Sequence, residues 1–555
     1  MGSAEVAMER WRRWADGPRQ RVTQWWVDYA TADVKLSDVR VCVEIVMGDV
    51  TIRVASSPVR TISGITGDQV DYEPGLLGEE PTLEAGVRLG EPAAASRSIT
   101  ISIPSNLLDG WALLRRGHTL AGVAEVSWQV DGMDNDLRLV LMRGDVVASG
   151  FGADGEAMQL VISDPRMTEF VVLPDAVVDT TRWPNAREDA IGRRVPVVIN
   201  GYPRVEGLFV DTTAGGAGTL LVCADPRSEF EEITAGAYSR FYADGFGLGY
   251  PSGNAYAPWS FSRERDGSGL LCLTADLSSS VGPFTGDERL HVDVQLDTGS
   301  MAGAIAVAER LVRMGSRGRD LMDPVLWAQA ETTLPRMTPR VLFDASGENA
   351  PRVVQWLEGS LSLDIPSLHW CFDGAGFGPV VLDWRAPVSG RLVVYEWPVI
   401  ERTSLMTEES KDKCYDEFEI RWSEDRMLGR WEQVYRRDPS TSDVLAYLRS
   451  TMKGPRPYPT VDAHLTFDAM MATYAIEWLA AHRSWPSYVV ELLVAPAAAI
   501  QFRLGQNIDY VDRDLGMTDE RPARATIERK VYARGATRMT LRVWHPYLVG
   551  AVSLP

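Results

Sequence analysis

The sequence predicts a mainly β fold with α+β modules, divided among several domains. Three observations carry this. Short runs of alternating apolar and polar residues recur between turn signals. The length, 555 residues, is several times that of one ordinary domain. At about residue 301 the texture changes, and helical apolar spacing enters between strands. The expected divisions are a Trp-rich N-terminal arm at 1–33, a β-barrel-like domain at 34–175, and a β-rich insertion or second domain at 176–300. An α+β domain at 301–400 and a second α+β or β-barrel domain at 401–555 follow.

In the arm, Trp11 and Trp14 share one face of a short helix that Gly17-Pro18 ends, and Trp25 and Trp26 follow. Val39–Val46 and Val50–Val54 flank Gly48-Asp49 as a hairpin. Ser98–Ile103 alternates and stops at Pro104, and Leu107–Leu114 reads as a short helix. Val126–Val130 and Leu137–Leu141 flank a second hairpin turn at 131–136; Val146–Gly150 and Met158–Ile162 continue the strands. Turns at this spacing fit a barrel or sandwich. Gly48-Asp49 and Gly144-Asp145 read as two hairpin turns of duplicated β units. In the next stretch Val195–Ile199 and Gly218–Cys223 read as strands. A loop between Tyr238 and Trp259 is rich in glycine and aromatics, among them Phe241, Tyr242, Phe246, Tyr250, Tyr256 and Trp259.

Beyond 301, Ala302–Met314 has helical spacing. Asp323-Pro324 places an N-cap before a proline at the first helical position of a second helix. Pro351–Leu357 forms a third, closed by Gly359, and strands return from Leu361 to Tyr395. Phe418, Ile420 and Trp422 alternate with charges as a strand with one wet face. Asp443–Met452 is a helix, and Phe467, Met470, Met471, Tyr474, Trp478 and Leu479 form an apolar helical stripe. Val489–Val494, Ile500–Leu504, Ala525–Tyr532 and Met539–Trp544 read as strands.

Hydrophobic residues make up 45 % and charged residues 24 %, which excludes a disordered chain, a collagen-like fibre and a coiled-coil rod. The apolar runs are too short for a membrane helix, and the N-terminus has no apolar core of a secretory signal. A net charge of −20 argues against binding to DNA or anionic membranes by the chain as a whole. Only five of the 56 cationic residues are Lys, and Trp, at 18, outnumbers Phe, at 14. Trp and Arg suit cores and protein interfaces, and Trp also suits sugar platforms. Five Cys are too few, and odd in number, for a disulfide framework.

Compact catalytic motifs are missing. No two of the six His lie within five positions of each other, and there is no C-x-x-C, P-loop or G-x-S-x-G. Gly215–Gly218 reads as a hairpin turn, and Asp134, Asp136, Asp509, Asp512 and Asp514 as turn carboxylates rather than calcium ligands. Arg143-Gly144-Asp145 is an adhesion-like tripeptide that turn chemistry explains. The expectation is therefore no enzyme, no cofactor and no metal. The candidate interface residues are Trp11, Trp14, Trp25, Trp26, Phe241, Tyr242, Phe246, Tyr250, Tyr256 and Trp259.

The order of elements in the second half carries a family resemblance. The Ala302–Met314 helix is followed by a short helix ending in Trp356-Leu357 and a strand pair around Val380–Trp384. The polar run from Lys411 leads into the alternating strand that ends at Trp422. The stripe helix, the Phe502–Asp512 segment and paired strands to Trp544 complete the order. This resembles the tail-tip or baseplate hub proteins of long-tailed bacteriophages and is similar to the hub half of contractile-tail and type VI secretion spikes. It covers about residues 300–545 and, more loosely, 38–175. Two places depart from it: Cys414, Tyr415 and Asp416 stand where Asn and Val are frequent, and Gly505-Gln506 where Gly-Asp is.

The resemblance implies a structural virion protein of the tail tip or baseplate, assembled in the host cytoplasm. Its β domains, as a homotrimer, would close a ring through which DNA passes without specific binding. The implied partners are the chain itself, a distal tail protein, a tape-measure protein, and tail fibres or other baseplate proteins. A ring protein needs large self-complementary interfaces, which the Trp and Arg content suits. An acidic channel wall would repel DNA and leave its path free. The alternative is a carbohydrate-binding or carbohydrate-active protein using Trp and Tyr platforms.

Overall fold

The computed structural model describes residues 39–546 apart from a set of segments, the longest being 87–97, 106–121, 165–175, 226–240, 248–259 and 277–289. The expected arm at 1–33 and the expected Leu107–Leu114 helix lie outside the described residues. The fold is mainly β, in several sheets with helices packed between them, as the alternating sequence predicts.

The first sheet uses β1 (Val39–Met47), β2 (Val50–Ala55), β3 (Val59–Ile62) and β4 (Gln69–Pro74). After β5 (Leu83–Gly86), which belongs elsewhere, come β6 (Ser98–Pro104), β7 (Val123–Val130), β8 (Leu139–Phe151) and β9 (Ala157–Ser163). Their order is β3-β4-β2-β1-β7-β8-β9-β6. Alternation turns Val41, Val43 and Ile45 of β1 and Ile99, Ile101 and Ile103 of β6 into the core. The sheet curls. Leu76 N–H donates to Ala55 O at 3.2 Å and Leu77 N–H to Ser102 O at 2.8 Å, so residues 76–77 bridge β2 toward the far edge strand β6. The other edge, β3, is capped by the β7–β8 turn, where Arg60 N–H donates to Asp131 Oδ1 at 2.8 Å.

Gly144-Asp145 is not a turn. It lies inside β8, which runs unbroken across the expected break. A Cβ on Gly144 would sit 2.2 Å from the Ser163 carbonyl oxygen, so this glycine permits close strand approach rather than reversal. Duplicated hairpins therefore find no support here.

The middle stretch holds β10 (Val197–Ile199), β11 (Tyr202–Glu206), β12 (Leu208–Asp211), β13 (Thr219–Asp225), β14 (Phe241–Ala243) and β15 (Phe246–Gly247). It continues with β16 (Ser260–Arg265), β17 (Leu271–Asp276) and β18 (Leu290–Val294). These make two four-stranded sheets, β11-β18-β14-β15 and β12-β13-β17-β16, while β10 pairs with β19 (Val341–Phe343). Asn200, at φ 62, ties the join. Its amide donates to Ala302 O and Pro339 O, and its carbonyl accepts from Ala302 N–H, each at 2.8 Å.

Two helices follow, α1 (Ala304–Gly315) and α2 (Pro324–Thr333). As the sequence predicts, Asp323 caps α2, accepting from Val325 N–H at 2.8 Å, with Pro324 at the first position. The third helix does not stop at Gly359. Val353–Trp356 runs into a π turn, Leu357–Leu361, and on into Ser362–Asp364. Gly359 sits in this turn without a positive φ, while Leu357 and Leu361 are buried beside it. Strands thus resume only at β20 (Leu368–Asp373) and β21 (Gly376–Val381), not at Leu361.

The last sheet is built from β22 (Val388–Val393), β23 (Val399–Arg402) and β24 (Thr407–Glu408) with later strands. Between them lie β25 (Phe418–Asp425), β26 (Arg430–Arg437), α3 (Asp443–Met452), β27 (Val461–Ala463) and α4 (Ala469–Ser484). Then come β28 (Tyr488–Val494), β29 (Asn507–Val511), β30 (Ala523–Ala533) and β31 (Ala536–Val543). The order is β22-β29-β30-β31-β28-β23, with β24 on β28 and β5 on β30. β5 pairs Leu83–Gly86 with Arg529–Tyr532, so a strand from the first domain completes the last sheet.

Of the expected strand Ile500–Leu504, residue 500 lies outside the described residues and 501–504 are not a strand. Its alternation buries Phe502 and Leu504, but the segment turns at Gly505, φ 77, whose N–H donates to Ile527 O at 2.8 Å. In the stripe helix α4, Met471, Trp478 and Leu479 are buried. Phe467 precedes the cap Asp468, and Met470 points outward. One core runs through the first sheet, the last sheet and α4, and a second gathers α1, α2, β20 and β21 around Trp327, Trp370 and Phe377.

Candidate assembly surfaces

Of the ten candidate interface residues, Trp11, Trp14, Trp25, Trp26, Tyr250, Tyr256 and Trp259 lie outside the described residues. Phe241 and Tyr242 are on β14 and Phe246 is on β15, which form a hairpin with Tyr242 opposite Gly247. β14 also pairs with β18, with Tyr242 opposite His291. These three therefore belong to one small sheet. The glycine run Gly215–Gly218, expected as a hairpin turn, lies outside the described residues, between the antiparallel strands β12 and β13.

Of the carboxylates weighed as calcium ligands, Asp509 is not in a turn but lies within strand β29, opposite Arg524, whereas Asp134 and Asp512 accept from backbone N–H groups at turns. Asp134 accepts from Asp136 N–H at 2.9 Å, and Asp136 accepts from Ser63 Oγ at 2.9 Å. Asp512 accepts from Asp514 N–H at 3.1 Å, from the Tyr510 hydroxyl at 2.9 Å, and from Arg402 of β23. No group of three potential metal ligands occurs among the described residues. Arg143 of the adhesion-like tripeptide lies in β8 and pairs with Glu125 at 2.7 Å.

Several side-chain clusters carry no local sequence motif. His482 on α4 stands in a cage of three indoles, stacked on Trp478 with centroids 3.7 Å apart and met edge-on by Trp384 and Trp544, each at 4.6 Å. Burial holds it well below the ordinary histidine range, so it is neutral. Lys530 on β30 is 2 % exposed; its ammonium donates to Ala499 O at 3.0 Å and lies 3.6 Å from Asp373. Burial lowers its pKa and the Asp373 carboxylate opposes this. Arg542 of β31 is buried between Glu528 and Ser487.

The loop from β21 to β22 is held at almost every carbonyl. Trp478 Nε1 donates to Leu382 O at 2.8 Å, and Asn507 Nδ2 donates to Asp383 O at 2.8 Å and to Ala386 O at 2.9 Å. Arg524 donates to Trp384 O at 3.0 Å. Within the loop, Arg385 forks onto Asp383, Nε to Oδ1 at 2.9 Å and Nη2 to Oδ2 at 2.8 Å. Its guanidinium carbon lies 4.7 Å from the Trp384 ring centre and 5.0 Å from that of Tyr474. The Tyr474 hydroxyl bonds Ser367 Oγ at 3.0 Å and Asp383 Oδ2 at 3.2 Å.

Exposed apolar side chains cluster by strand ends. Val46 and Val123 are directly paired and both exposed. At the β22–β23 turn, Tyr395 is 63 % exposed at φ 62, and Glu396 of the same turn pairs with Arg513 at 2.7 Å, two residues from exposed Leu515. The outer strand β26 carries Arg430, Glu432, Arg436 and Arg437, charges that guard a sheet edge against casual pairing. Among the described residues, no helix is long and apolar enough to cross a membrane.

The sequence matches no family model and no curated protein. Among solved structures, the chain is similar to the tail protein from Neisseria meningitidis MC58, at 12 % identity and a TM-score of 0.37, over 93 % of this chain and 99 % of that one. It is also similar to the 43 kDa tail protein of prophage MuSo2 from Shewanella oneidensis, at 9 % identity and a TM-score of 0.36, over 91 % of this chain and 99 % of that one.

Proposed function

We propose that this chain is a structural protein of a bacteriophage tail, a hub at the tail tip or baseplate with no catalytic role. Its copies close a ring, a homotrimer in the simplest case, around the path of the DNA. One observation carries the reading. A single chain holds two eight-stranded sheets, and β5, which lies between β4 and β6 of the first sheet in the sequence, pairs with β30 of the last. The ring contact Trp128–Tyr532, with centroids 5.8 Å apart, reinforces the tie. Three copies then supply six such sheets, which is the arrangement the hub resemblance implies. A fixed angle between the two sheets is what a ring needs, because a flexible join would leave closure undetermined. The acidic balance, −20 overall, suits a protein that lines a DNA path without gripping it. Neighbouring tail proteins, such as a distal tail protein, a tape-measure protein and fibres, are the partners this role requires.

Negative-stain electron microscopy of the purified chain, with mass from light scattering, tests the reading. Threefold rings with a central channel are expected. Monomers at every concentration, with no incorporation when distal tail protein is added, would end it.

A further inference from the structure

We propose that the Asp383–Pro387 loop is an interaction surface on which Arg385 receives a carboxylate from a second copy of this chain, resting on the ring reading above. An irregular loop ordinarily loses conformational freedom when it binds. Here Asn507 and Arg524, from β29 and β30, already fix it through its carbonyls, and Trp478 of α4 holds the Leu382 carbonyl just before it. Binding through such a loop costs little further ordering. What the loop holds out is a guanidinium, 44 % exposed as a side chain, stacked between Trp384 and Tyr474. Arg flanked by aromatics is the composition of interface hot spots.

The chemistry selects the partner. Arg385 uses Nε and Nη2 side-on against Asp383, which is 4 % exposed. That leaves the Nη1–Nη2 edge for a second planar acceptor, and a carboxylate matches it in two-point geometry. Asp383 offsets the charge of Arg385, so the site exerts little long-range pull on a polyanion. DNA binding works by several spread cations, which this loop does not offer. The chain itself carries 76 acidic residues against 56 basic ones, so a second copy brings carboxylates in excess.

The test compares wild type, Arg385→Gln and Arg385→Lys by light scattering over a dilution series, with unfolding midpoints measured alongside. Both variants should need at least about tenfold more protein to assemble, Lys included because it lacks the planar fork; Arg385→Gln strands the Asp383 carboxylate and should lower the midpoint, while Arg385→Lys keeps a cation beside it and should stay close to wild type. Assembly of both variants at the wild-type concentration would overturn the inference and leave the ring reading standing. So would loss of assembly in Arg385→Lys that merely tracks a collapsed midpoint, which would mark the loop as structural. If the variants keep their assembly but lose binding to a short DNA duplex, the loop serves nucleic acid instead. A wild type that never assembles would overturn both readings.

Discussion

Asp364 should make the join between the π-turn helix and the β27–α4 link weaken as pH rises. Its carboxyl is 1 % exposed; Oδ2 accepts from Leu465 N–H and Thr466 Oγ1, both at 2.8 Å, while Oδ1 is buried with no donor. Burial pushes its pKa from 3.8 up to about 7, against the pull of Thr466 and Leu465. Other ionisable groups nearby are Glu358 on the same helical run, also raised to about 7 by burial, and His464, itself held up by Glu424. Tyr202 approaches through its hydroxyl, 3.3 Å from His464 O.

A raised carboxyl favours the folded state while protonated, so its contribution is complete below pH 4 and is lost as pH climbs through 7. A shift of about three units corresponds to roughly 4 kcal/mol, of which about 2 kcal/mol, or some 30-fold in local opening, falls between pH 5.5 and 8. Hydrogen exchange of peptides covering 357–364 and 461–467, corrected for intrinsic rates, reads this directly. Asp364→Asn keeps the acceptor for Leu465 and Thr466 but cannot ionise, so its protection should fall by about 30-fold less than that of wild type between the two pH values, the remaining slope being that of Glu358. Glu358 acts on both proteins alike and cancels in the comparison. Equal pH slopes in wild type and Asp364→Asn would refute the reasoning.

Further substitutions probe other joins and packing contacts. Arg542→Met alone strands the buried Glu528 carboxylate and should cost about 3–5 kcal/mol, while adding Glu528→Leu should recover most of it. A double variant as unstable as the single one by urea titration would contradict this. Asn200→Ala removes three hydrogen bonds and places alanine at φ 62, for a loss of roughly 3–5 kcal/mol. A drop below about 1 kcal/mol would mean the clasp does not hold the join. Gly378→Ala puts a Cβ 2.6 Å from Leu326 Cβ and should destabilise by about 1–3 kcal/mol. Gly359→Ala, with nothing within 4 Å in the π turn, should be neutral or stabilise by up to about 1 kcal/mol, and melting curves that rank the two the other way would count against the packing described.

How far the sequence was legible follows from the range of the forces involved. β1, β7, β9 and α3 follow from local alternation or helical spacing, and α2 from the Asp323-Pro324 pair, because a few neighbouring residues decide them. Ile500–Leu504 shows the limit. Its period of two reflects Phe502 packing over Gly390 and Leu504 going inward, while the backbone is already turning toward Gly505. The π turn was illegible because Gly359 is an ordinary stop signal when tertiary packing is unknown. The pairing of Glu84 with Val531 spans more than four hundred residues, and no window on the sequence contains both. The Asp383 loop was missed for the same reason: Tyr474, Trp478, Asn507 and Arg524 each look like ordinary core or surface residues until the fold gathers them.

The buried polar groups have a common location. Lys530 with Asp373 joins β30 to the β20–β21 pair, and Arg402 with Asp512 joins β23 to the end of β29. Asp364 joins the π-turn helix to the β27–α4 link, and Asn507 joins β29 to the Asp383 loop. Apolar packing alone tolerates small shifts between packed layers, since one pair of hydrocarbon surfaces slides past another at little cost. A hydrogen-bonded carboxylate or amide does not, because displacement by about 1 Å strands a desolvated group at a cost of roughly 1–3 kcal/mol. Polar joins at these contacts therefore fix how the β20–β21 pair, the π-turn helix and the Asp383 loop sit against their neighbours, where apolar packing alone would leave them looser.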